Sequence, residues 1–403
     1  MSVLTHGEIT DEGLDKVRAL VNQEMRVNYR FNREVTWDGV RHFAWGVGDD
    51  NPLWLDPDYA ATTDYGGAAA PPSYLYTIHP TFVQIGFAGV HGFHANTNWT
   101  LFKPVLVGQR PTSTTWLADV VEKEGRMGGH QVLVYFRTVY FDENDEVLAD
   151  VLTSSMRVQR HQARDKDKHA DWEMTRWSPE EIEPLEAAQL AEAPRGSEPR
   201  FWEDVKVGDE LEPVRKGPLT LTDMIAWYVG SQPIYCPAHE LALKQYQHKP
   251  MFYYRNTLTG ALEPGIRVHE DVDAARAAGV PAPYDLGVQR HQWLFHLLTN
   301  WVGDSGFIVE CNAQYRQFNF FGDVQELGGR VREVWEDPET GEGRVGIDVW
   351  SRNQHGVDTM PGTAVVALPS RKQAESPVTR RLGLSIKRAD YLAKVVPDLR
   401  PLT

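Results

Sequence analysis

The sequence predicts an α+β protein made of two tandem units, each with a short helix, a long helix and an antiparallel β-meander. Three observations lead to this prediction. Short motifs recur in the same order in the two halves of the chain, each half ends in a run of strand-like segments, and each half carries one apolar helical pattern. The strand-like segments follow one another through short turns. Such connections join antiparallel strands, since parallel strands need a long crossover.

The recurring motifs define two blocks of the same design. The offset is the residue number in the second block minus the number of the matching residue in the first block. It is 182 for the first match, 215 for the second and 214 for the third. The increase from 182 to 215 predicts that the second block carries 33 extra residues, at 232–264. Three matches in one order indicate a duplication. The matching segments are 44–48 with 226–230, 55–61 with 270–276, and 104–108 with 318–322.

The helical patterns differ between the blocks. Residues 10–26 repeat apolar side chains at helical intervals and predict an amphipathic lead-in helix. Residues 287–304 are apolar on nearly every side, which predicts a helix wrapped inside a curved sheet. The counterpart in the first block, 73–87, contains Pro80. Because proline removes a backbone donor, this long helix is expected to be kinked.

Composition divides the chain into a first unit at 1–159, a linker at 160–200, a second unit at 201–369 and a tail at 370–403. The linker is charged and poor in aliphatic side chains, except that Ser178-Pro179-Glu180-Glu181 predicts the start of a short helix. Serine is a favoured N-cap, proline a favoured first residue and glutamate a favoured third residue. The tail is basic and is expected to be irregular.

The overall composition excludes several classes of protein. The net charge is −15, with 56 acidic and 41 basic side chains, so nucleic acid is not an expected partner. No apolar run approaches the roughly 20 residues of a membrane span, and the first residues lack the pattern of a secretory signal. Cys236 and Cys311 are too few for a disulfide framework or a zinc site. We therefore expect a cytoplasmic protein without a bound metal.

Two segments resemble the hydratase motif of the MaoC-like hotdog enzymes. Residues 48–56, Gly-Asp-Asp-Asn-Pro-Leu-Trp-Leu-Asp, are similar to its first part, Gly-Asp-x-Asn-Pro-x-His-x-Asp. Residues 268–287 are similar to its second part, Ile-His-x-Asp, then Ala, then Gly, then x-His-Gly. The resemblance implies a double hotdog fold, in which two units pack side by side. It also implies acyl thioesters of coenzyme A or acyl carrier protein as substrates, and reversible addition of water across a 2,3-enoyl bond.

The first block is similar to the N-terminal, non-catalytic hotdog units of such dehydratases. Asp49 and Asn51 match the motif, but Trp54 stands where the family has its histidine. Pro72 replaces the glycine that starts the long helix, and proline has no N–H to offer a substrate. We expect this block to be non-catalytic. Asp49 then caps a turn. The alternative is that Asp49, Asn51 and Trp54 contribute to substrate binding, with the large Trp54 indole forming the floor of an acyl pocket.

The second block keeps His269, Asp271 and Gly287, to which the resemblance assigns the chemistry. A carboxylate and an imidazole can together transfer protons to and from a water molecule. A backbone N–H at a helix start can stabilise the enolate oxygen. The family's aspartate is missing, because its position corresponds to Ser231 by the upstream match and to Pro264 by the downstream match.

An acid or base partner for His269 must therefore come from elsewhere, or the reaction differs. Asp285 stands where the family has the histidine before the helical glycine, although a carboxylate there also favours the helix dipole. The alternative for His269 is a loop histidine that is hydrogen-bonded to Asp271. The alternative for Gly287 is a glycine selected for backbone freedom. The candidate partners are Glu240, His239, Glu263 and Asp285.

Tyr284, Arg290 and Trp293 are further candidates for substrate binding. Arg290 could hold a substrate carboxylate or a phosphate of coenzyme A, and the alternative is an ion pair with Asp285. Tyr284 and Trp293 belong to a dense set of aromatic side chains, which either packs the core or lines a pocket for an aromatic acyl group. The neighbouring histidines, His291 and His296, are expected to be structural.

The leading interpretation is an acyl-CoA hydratase or dehydratase with one working site, centred on the second block. It needs no cofactor beyond the thioester carrier, since nucleotide-binding, nucleophile-elbow and zinc-helix motifs are absent from the sequence. We expect a homodimer. The alternatives are a hotdog thioesterase, a divergent lyase that acts on an aromatic acyl substrate, and a non-catalytic partner or binding subunit.

Overall fold

A computed structural model of the chain describes the greater part of both units. The first residues of the predicted insertion, 232–235, and the residues 159–171, from the last residue of the first unit into the linker, lie outside the described residues. The described ranges are 7–25, 31–81, 85–87, 90–124, 130–158, 172–231 and 236–401.

Each unit begins mainly with helices and ends in a meander of consecutive strands. The strands are β1 (Ala69–Ala70), β2 (His91–Leu101), β3 (Val105–Leu106), β4 (Thr112–Glu124), β5 (His130–Phe141), β6 (Val147–Val158), β7 (Val214–Lys216), β8 (Tyr253–Arg255), β9 (Leu262–Pro264), β10 (Phe307–Gln314), β11 (Gln325–Glu336), β12 (Gly343–Asn353) and β13 (Asp358–Leu368). The helices are α1 (Asp11–Arg18), α2 (Trp37–Val47), α3 (Pro52–Leu55), α4 (Pro57–Ala61), α5 (Pro179–Leu190), α6 (Leu221–Ser231), α7 (His239–His248), α8 (Val272–Ala277), α9 (Gly287–Val302), α10 (Pro377–Leu382) and α11 (Arg388–Val395).

One antiparallel sheet of nine strands spans both units. Its strand order is β4-β5-β6-β2-β10-β13-β12-β11-β7. The two units meet edge to edge where β2 pairs with β10 and Trp99 lies opposite Cys311. The predicted meander is confirmed in each unit, and together the two meanders form the double hotdog that the resemblance implies.

Helix α9 is the centre of the core. All of its residues except Gly287 and Asn300 are buried, which confirms the prediction of a helix wrapped by the sheet. Its apolar residues lie in one continuous hydrophobic cluster with side chains from both units. Among the described helices, none combines the length and apolar character that a membrane span needs.

The prediction of a long helix in the first unit is wrong. The structure has a short 3₁₀ turn at Pro72–Thr77, and residues 78–81 are not helical. Pro80 explains the early end, because a proline disfavours helical backbone at the preceding residue and lacks its own donor. The sheet of the first unit therefore packs against α9 of the second unit as well as against its own short turn.

The duplication is visible in matching local structures. Asp56 accepts hydrogen bonds from the first turn of α4, and Asp271, its counterpart at the offset of 215, does the same for α8. In the first unit Ala69 pairs with Leu106. In the second unit the corresponding residues, Tyr284 and Phe320, pair in an isolated β-bridge. The offsets of 215 and 214 are therefore confirmed.

The predicted offset of 182 between the upstream segments of the two units is wrong by two positions. Helices α2 and α6 both have 11 residues and begin at Trp37 and Leu221, which is an offset of 184. Each helix is preceded by a capping threonine, Thr36 or Thr220. The counterpart of Asp49 is therefore residue 233, outside the described residues, and not Ser231. The insertion is shorter than predicted by the same two positions, and α7 and the β8–β9 hairpin lie in it.

The linker helix and the tail differ in how well the sequence predicted them. Helix α5 begins after Ser178, whose backbone N–H donates to the Glu181 carboxylate at 2.9 Å, as the capping pattern predicted. The tail is not irregular. It forms α10 and α11, and Tyr391 of α11 packs edge-on against Phe102 of the first unit, with 5.3 Å between ring centroids. Helix α11 is thereby fixed to the first unit, while Arg381 of α10 pairs with Glu342 of the second unit at 2.6 Å.

Helices α2 and α6 cross at two glycines that occupy equivalent positions, Gly46 and Gly230. A Cβ atom on Gly46 would lie 2.7 Å from the backbone oxygen of Ala226 and 3.2 Å from the Cα of Trp227. At this distance only the absence of a side chain lets the helices touch. The crossing is a contact between the two units that is separate from the sheet junction.

We expect Gly46→Ala to lower the free energy of unfolding by about 2 kcal/mol, because backbone atoms cannot move aside for the methyl group. Urea unfolding measures this change. The control is Gly67→Ala, where a Cβ would meet no heavy atom within 4 Å. Equal stability of the two variants would contradict the glycine crossing.

Candidate active site

A buried ion pair fixes the start of α9. The Arg290 Nε donates to Asp285 Oδ2 at 2.8 Å, and Nη2 donates to Oδ1 at 2.5 Å. Both side chains are at most 3% exposed. A further bond runs from Arg290 Nη1 to the Gln317 carbonyl at 2.9 Å. The interpretation of Arg290 as a partner of Asp285 is confirmed, so the guanidinium is engaged inside the protein rather than directed at a carboxylate or phosphate in solution.

The Asp285 carboxylate continues into a polar network beneath the helix start. Asn319 donates from Nδ2 to Asp285 Oδ2 at 3.1 Å, and Gln325 donates from Nε2 to Asn319 Oδ1 at 3.0 Å. The hydroxyl groups of Ser351 and Thr359 donate to Gln325 Oε1 at 2.7 and 2.5 Å. A buried network of this kind is stable only when its members are satisfied. This places Asp285 in the framework of the site rather than at the reacting atoms.

His269 ends a 3₁₀ turn at Gly265–His269 and is oriented by the backbone. Its Nδ1 lies 2.8 Å from the Tyr284 carbonyl oxygen, so Nδ1 carries the ring proton and donates it. Burial lowers the pKa of His269 to about 4, so the imidazole is neutral at pH 7. This tautomer leaves a lone pair on Nε2, which suits a general base.

Asp271 does not hold His269. Its Oδ1 accepts from the Ala274 backbone N–H at 2.8 Å and caps α8. The alternative interpretation, a His269–Asp271 hydrogen bond, is therefore wrong. The physical reason is that the free N–H groups of a helix start compete for the carboxylate.

The candidate partners from the insertion are engaged elsewhere in the described structure. Glu240 pairs with Lys244 at 2.7 Å on an exposed helix face, and His239 beside it is exposed. Glu263 lies 3.6 Å from Arg267 Nε. None of them replaces the missing family aspartate beside His269.

Gly287 is the first residue of α9 and lies against the first unit. A Cβ atom there would lie 2.7 Å from His94 Nδ1 and 3.1 Å from Tyr315 Cε1. Its φ is not in the left-handed range, so backbone freedom does not explain the glycine. The close approach of His94 does, and it also brings an imidazole of the first unit to the N-terminal end of α9.

His94 is a site residue that the sequence analysis missed. Its Nε2 lies 2.6 Å from Thr97 Oγ1, and its ring lies 4.3 Å from the Tyr315 ring. Burial lowers the pKa of His94 to about 3, with a smaller effect from His291, so this imidazole is also neutral. No motif marks His94, because only the pairing of β2 with β10 carries it to the other unit.

In the first unit, Asp49 caps the turn that precedes α3. It accepts from the Asn51 backbone N–H at 3.1 Å and from the Trp54 indole Nε1 at 3.0 Å. Asn51 in turn accepts from the Leu53 N–H at 3.0 Å and caps α3. The predicted turn is present, and the Trp54 indole donates the hydrogen bond at the position where the family has its histidine.

The aromatic candidates divide between the site and the core. Tyr284 packs edge-on against His269, with 4.4 Å between ring centroids, and against Phe318, with 4.7 Å. Trp293 is 4% exposed and lies in the main hydrophobic cluster. Its position favours packing over an aromatic acyl pocket. Within the described ranges, no group of three or more His, Cys, Asp or Glu side chains could hold a metal ion.

Comparisons with known proteins agree with this architecture. Residues 26–151 match the family described as "FAS1-like, dehydratase domain region". Over 101 residues the chain is 30% identical to a "UPF0336 protein" of Streptomyces avermitilis, in an alignment that covers 23% of this chain and 66% of that protein. The chain thus spans just under two thirds of that relative's length.

Two solved structures share the fold. A "MaoC-like dehydratase" has a TM-score of 0.59 and 16% identity, covering 88% of this chain and 100% of the other. A "putative MaoC domain protein dehydratase" from Chloroflexus aurantiacus J-10-fl has a TM-score of 0.51 and 13% identity, covering 84% and 93%. The match of residues 26–151 to a dehydratase family supports the resemblance to the MaoC-like dehydratases, and the two structures confirm the double hotdog fold.

We expect Asp285→Asn to lower the free energy of unfolding by about 3 kcal/mol, because it leaves the Arg290 charge buried without a counterion. Thermal and urea unfolding measure the loss. Glu210→Gln, which breaks an exposed pair with Arg330, is the control and should cost at most about 0.5 kcal/mol. If Asp285→Asn were as stable as the control, the framework role would be wrong.

Proposed function

We propose that the protein is an acyl-thioester hydratase or dehydratase, which adds water to a 2,3-enoyl thioester or removes it from a 3-hydroxyacyl thioester. One observation carries the proposal. The His269 ring is held by the carbonyl of Tyr284, three residues before Gly287 starts α9. A neutral imidazole is thereby tied to the loop that leads into the N-terminal end of the central helix.

The start of α9 supplies the electrostatic part of the reaction. The first N–H groups of a helix have no partner within the helix, and their dipoles favour negative charge. Addition of water at C3 places negative charge on the thioester oxygen. A donor at Gly287 would stabilise this enolate more than the neutral substrate, which is the condition for catalysis.

His269 supplies the proton transfer. Nε2 takes a proton from the attacking water while Nδ1–H stays on the Tyr284 carbonyl, and the imidazolium then returns the proton to C2. The Tyr284 carbonyl stabilises the imidazolium that forms in between. His94, which lies against Gly287 from the other unit, is a second polar group for the water or the thioester.

The remaining expectations concern the context of the reaction. The acyl group is carried by coenzyme A or acyl carrier protein, and no other cofactor takes part. The protein acts in the cytoplasm as a homodimer. Both cysteines, Cys236 and Cys311, are free thiols, as suits a reducing compartment.

We expect His269→Gln to lower kcat/KM for a hexenoyl-CoA substrate at least 100-fold, since general-base catalysis contributes about that much. Loss of the enoyl-thioester absorbance measures the rate. Because the base must be neutral, the wild-type rate should fall as the pH decreases through the pKa of about 4. His355→Gln, in an exposed turn, is the matched control.

Two results would contradict this role. Equal rates for His269→Gln and His355→Gln would remove His269 from the reaction. Release of free coenzyme A thiol by the wild type, with no hydrated product, would favour a thioesterase.

The glycine at the helix start can be tested separately. Gly287→Ala keeps the backbone N–H but puts a methyl group 2.7 Å from His94 Nδ1. We expect kcat/KM to fall at least 10-fold, and His94→Ala in the same chain to restore the stability lost to the clash. If Gly287→Ala were fully active and stable, the close approach of His94 to the helix start would be wrong.

A further inference from the structure

A row of polar side chains continues from the start of α9 across the sheet of the first unit. His94 of β2 lies against Gly287. In the pairing of β2 with β6, Ser155 lies opposite His94 and Arg157 lies opposite Gly92. Residues opposite each other in an antiparallel pair project to the same face of the sheet, as do residues two apart in one strand. This polar row, His94–Ser155–Arg157, therefore lies on the side of the sheet where α9 begins.

Arg157 is buried without a counterion among the described residues. The residue is 4% exposed, its Nε has no hydrogen-bond partner, and no described carboxylate forms an ion pair with it. The carboxylate nearest to it in the same row of the sheet, that of Glu122, lies two strands away and pairs with Arg18. Burial lowers the pKa of Arg157 to about 10, so the guanidinium is still charged at pH 7. A buried charge of this kind is costly, and an anion that binds to it offsets the cost.

The guanidinium is directed towards the junction of the two units. A Cβ atom on Gly92 would lie 2.6 Å from Arg157 Nη1 and 3.0 Å from Ser155 Oγ. The Arg157 side chain thus turns over β2, which pairs with β10 of the second unit, and not over β5 on its other side. Gly92 is exposed and His94 is half-buried, so the polar row is reached from outside along β2.

The spacing of the row suits a short ligand with a polar group at each end. Two residues of a strand advance about 7 Å, so Arg157 lies about that far beyond His94 as the sheet leads away from Gly287. The strand on the far side of the row is apolar, since Val134 lies opposite Ser155 and Val132 opposite Arg157. A few methylene groups fit between the two polar ends.

The contrast with Arg290 indicates which arginine is available to a ligand. Arg290 is the candidate that the sequence offered for a substrate carboxylate, and Asp285 satisfies it within the protein. Arg157 has the same bidentate donors and no such partner. Because the carrier of a thioester leads out to solvent, a charged group held at a buried arginine belongs to the acyl end. Its chemistry is that of a carboxylate.

We infer that Arg157, with the Ser155 hydroxyl beside it, binds a carboxylate at the far end of the acyl group, so that the substrates are short dicarboxylic acyl thioesters. The inference rests on the proposed function for the thioester and the reaction. The carboxylate site itself rests on the position and burial of Arg157. Anchoring the acyl group at both ends holds its double bond in one place beside the helix start, which favours reaction.

The test uses two saturated thioesters that cannot be hydrated. Adipyl-CoA and hexanoyl-CoA have acyl chains of the same length and differ in the terminal carboxylate. In calorimetric titration we expect the wild type to bind adipyl-CoA at least about 10-fold more tightly, since hydrogen bonds between charged groups contribute that much. Arg157→Met should abolish this preference by weakening adipyl-CoA binding alone. Equal affinities in the wild type would overturn the inference.

The same titrations distinguish the two sources of negative charge. Both probes carry the same phosphates, so an equal loss of both affinities in Arg157→Met would assign Arg157 to the carrier and overturn the inference. Arg137→Met is the matched control, because Arg137 lies on the neighbouring strand β5 and pairs with Asp150 at 2.6 Å. The control should keep the preference for adipyl-CoA. Loss of the preference in the control as well would overturn the assignment to Arg157.

Urea unfolding tests whether Arg157 is without a partner inside the protein. Methionine at a buried position that holds an uncompensated charge should keep or raise the free energy of unfolding. Arg137→Met breaks an existing pair and should lower it. A larger loss of stability in Arg157→Met than in Arg137→Met, or failure of Arg157→Met to fold, would show that Arg157 is already paired and would overturn the inference.

Hydration assays separate this inference from the proposed function. Hydration of 2-hexenoyl-CoA without any preference for adipyl-CoA in binding would keep the function and overturn the carboxylate site. A preference for adipyl-CoA that depends on Arg157, without hydration of 2-hexenoyl-CoA or 2-hexenedioyl-CoA, would support the carboxylate site and overturn the function.

Discussion

The buried ion pair between Asp285 and Arg290 is the interaction on which the architecture depends most. It fixes the first turn of α9 to the loop that leaves β10, and α9 is the helix around which both halves of the sheet pack. An isolated buried charge would be very costly, so the pair and its polar network tolerate only one position of the helix start. The backbone donors at Gly287 and the ring of His269 are both placed by the loop that leads into α9, which contains Tyr284 and Asp285.

The two units have diverged around this shared helix. The first unit has a short 3₁₀ turn where the second unit has α9, and its sheet packs against α9 as well as against that turn. As a result, side chains from both units meet around α9. His94 reaches Gly287 from the first unit, and His296 reaches Asp49 from the second. The contacts around α9 therefore depend on both units together.

Periodicity and spacing predicted the meanders and α9, but not the 3₁₀ turn of the first unit, the helices of the tail or the contacts between units. The meanders, α9 and the offset of 215 follow from local patterns, and the Asp285–Arg290 pair follows from the short spacing of the two residues at one helix start. The upstream offset was wrong by two positions, because short apolar matches do not show which glycines touch. His94 and Arg157 carry no motif, since only the pairing of β2 with β6 and with β10 brings them to one face beside the start of α9.

We propose that this double hotdog moves water at C3 of an acyl thioester and leaves the thioester bond intact. The most direct measurement is a single turnover of hexenoyl-CoA in water labelled with ¹⁸O, followed by mass spectrometry of the product. We predict one ¹⁸O atom on C3 of an intact 3-hydroxyacyl-CoA. Label in a free carboxylic acid would show thioester hydrolysis instead, and unchanged substrate would contradict an enzymatic role in hydration.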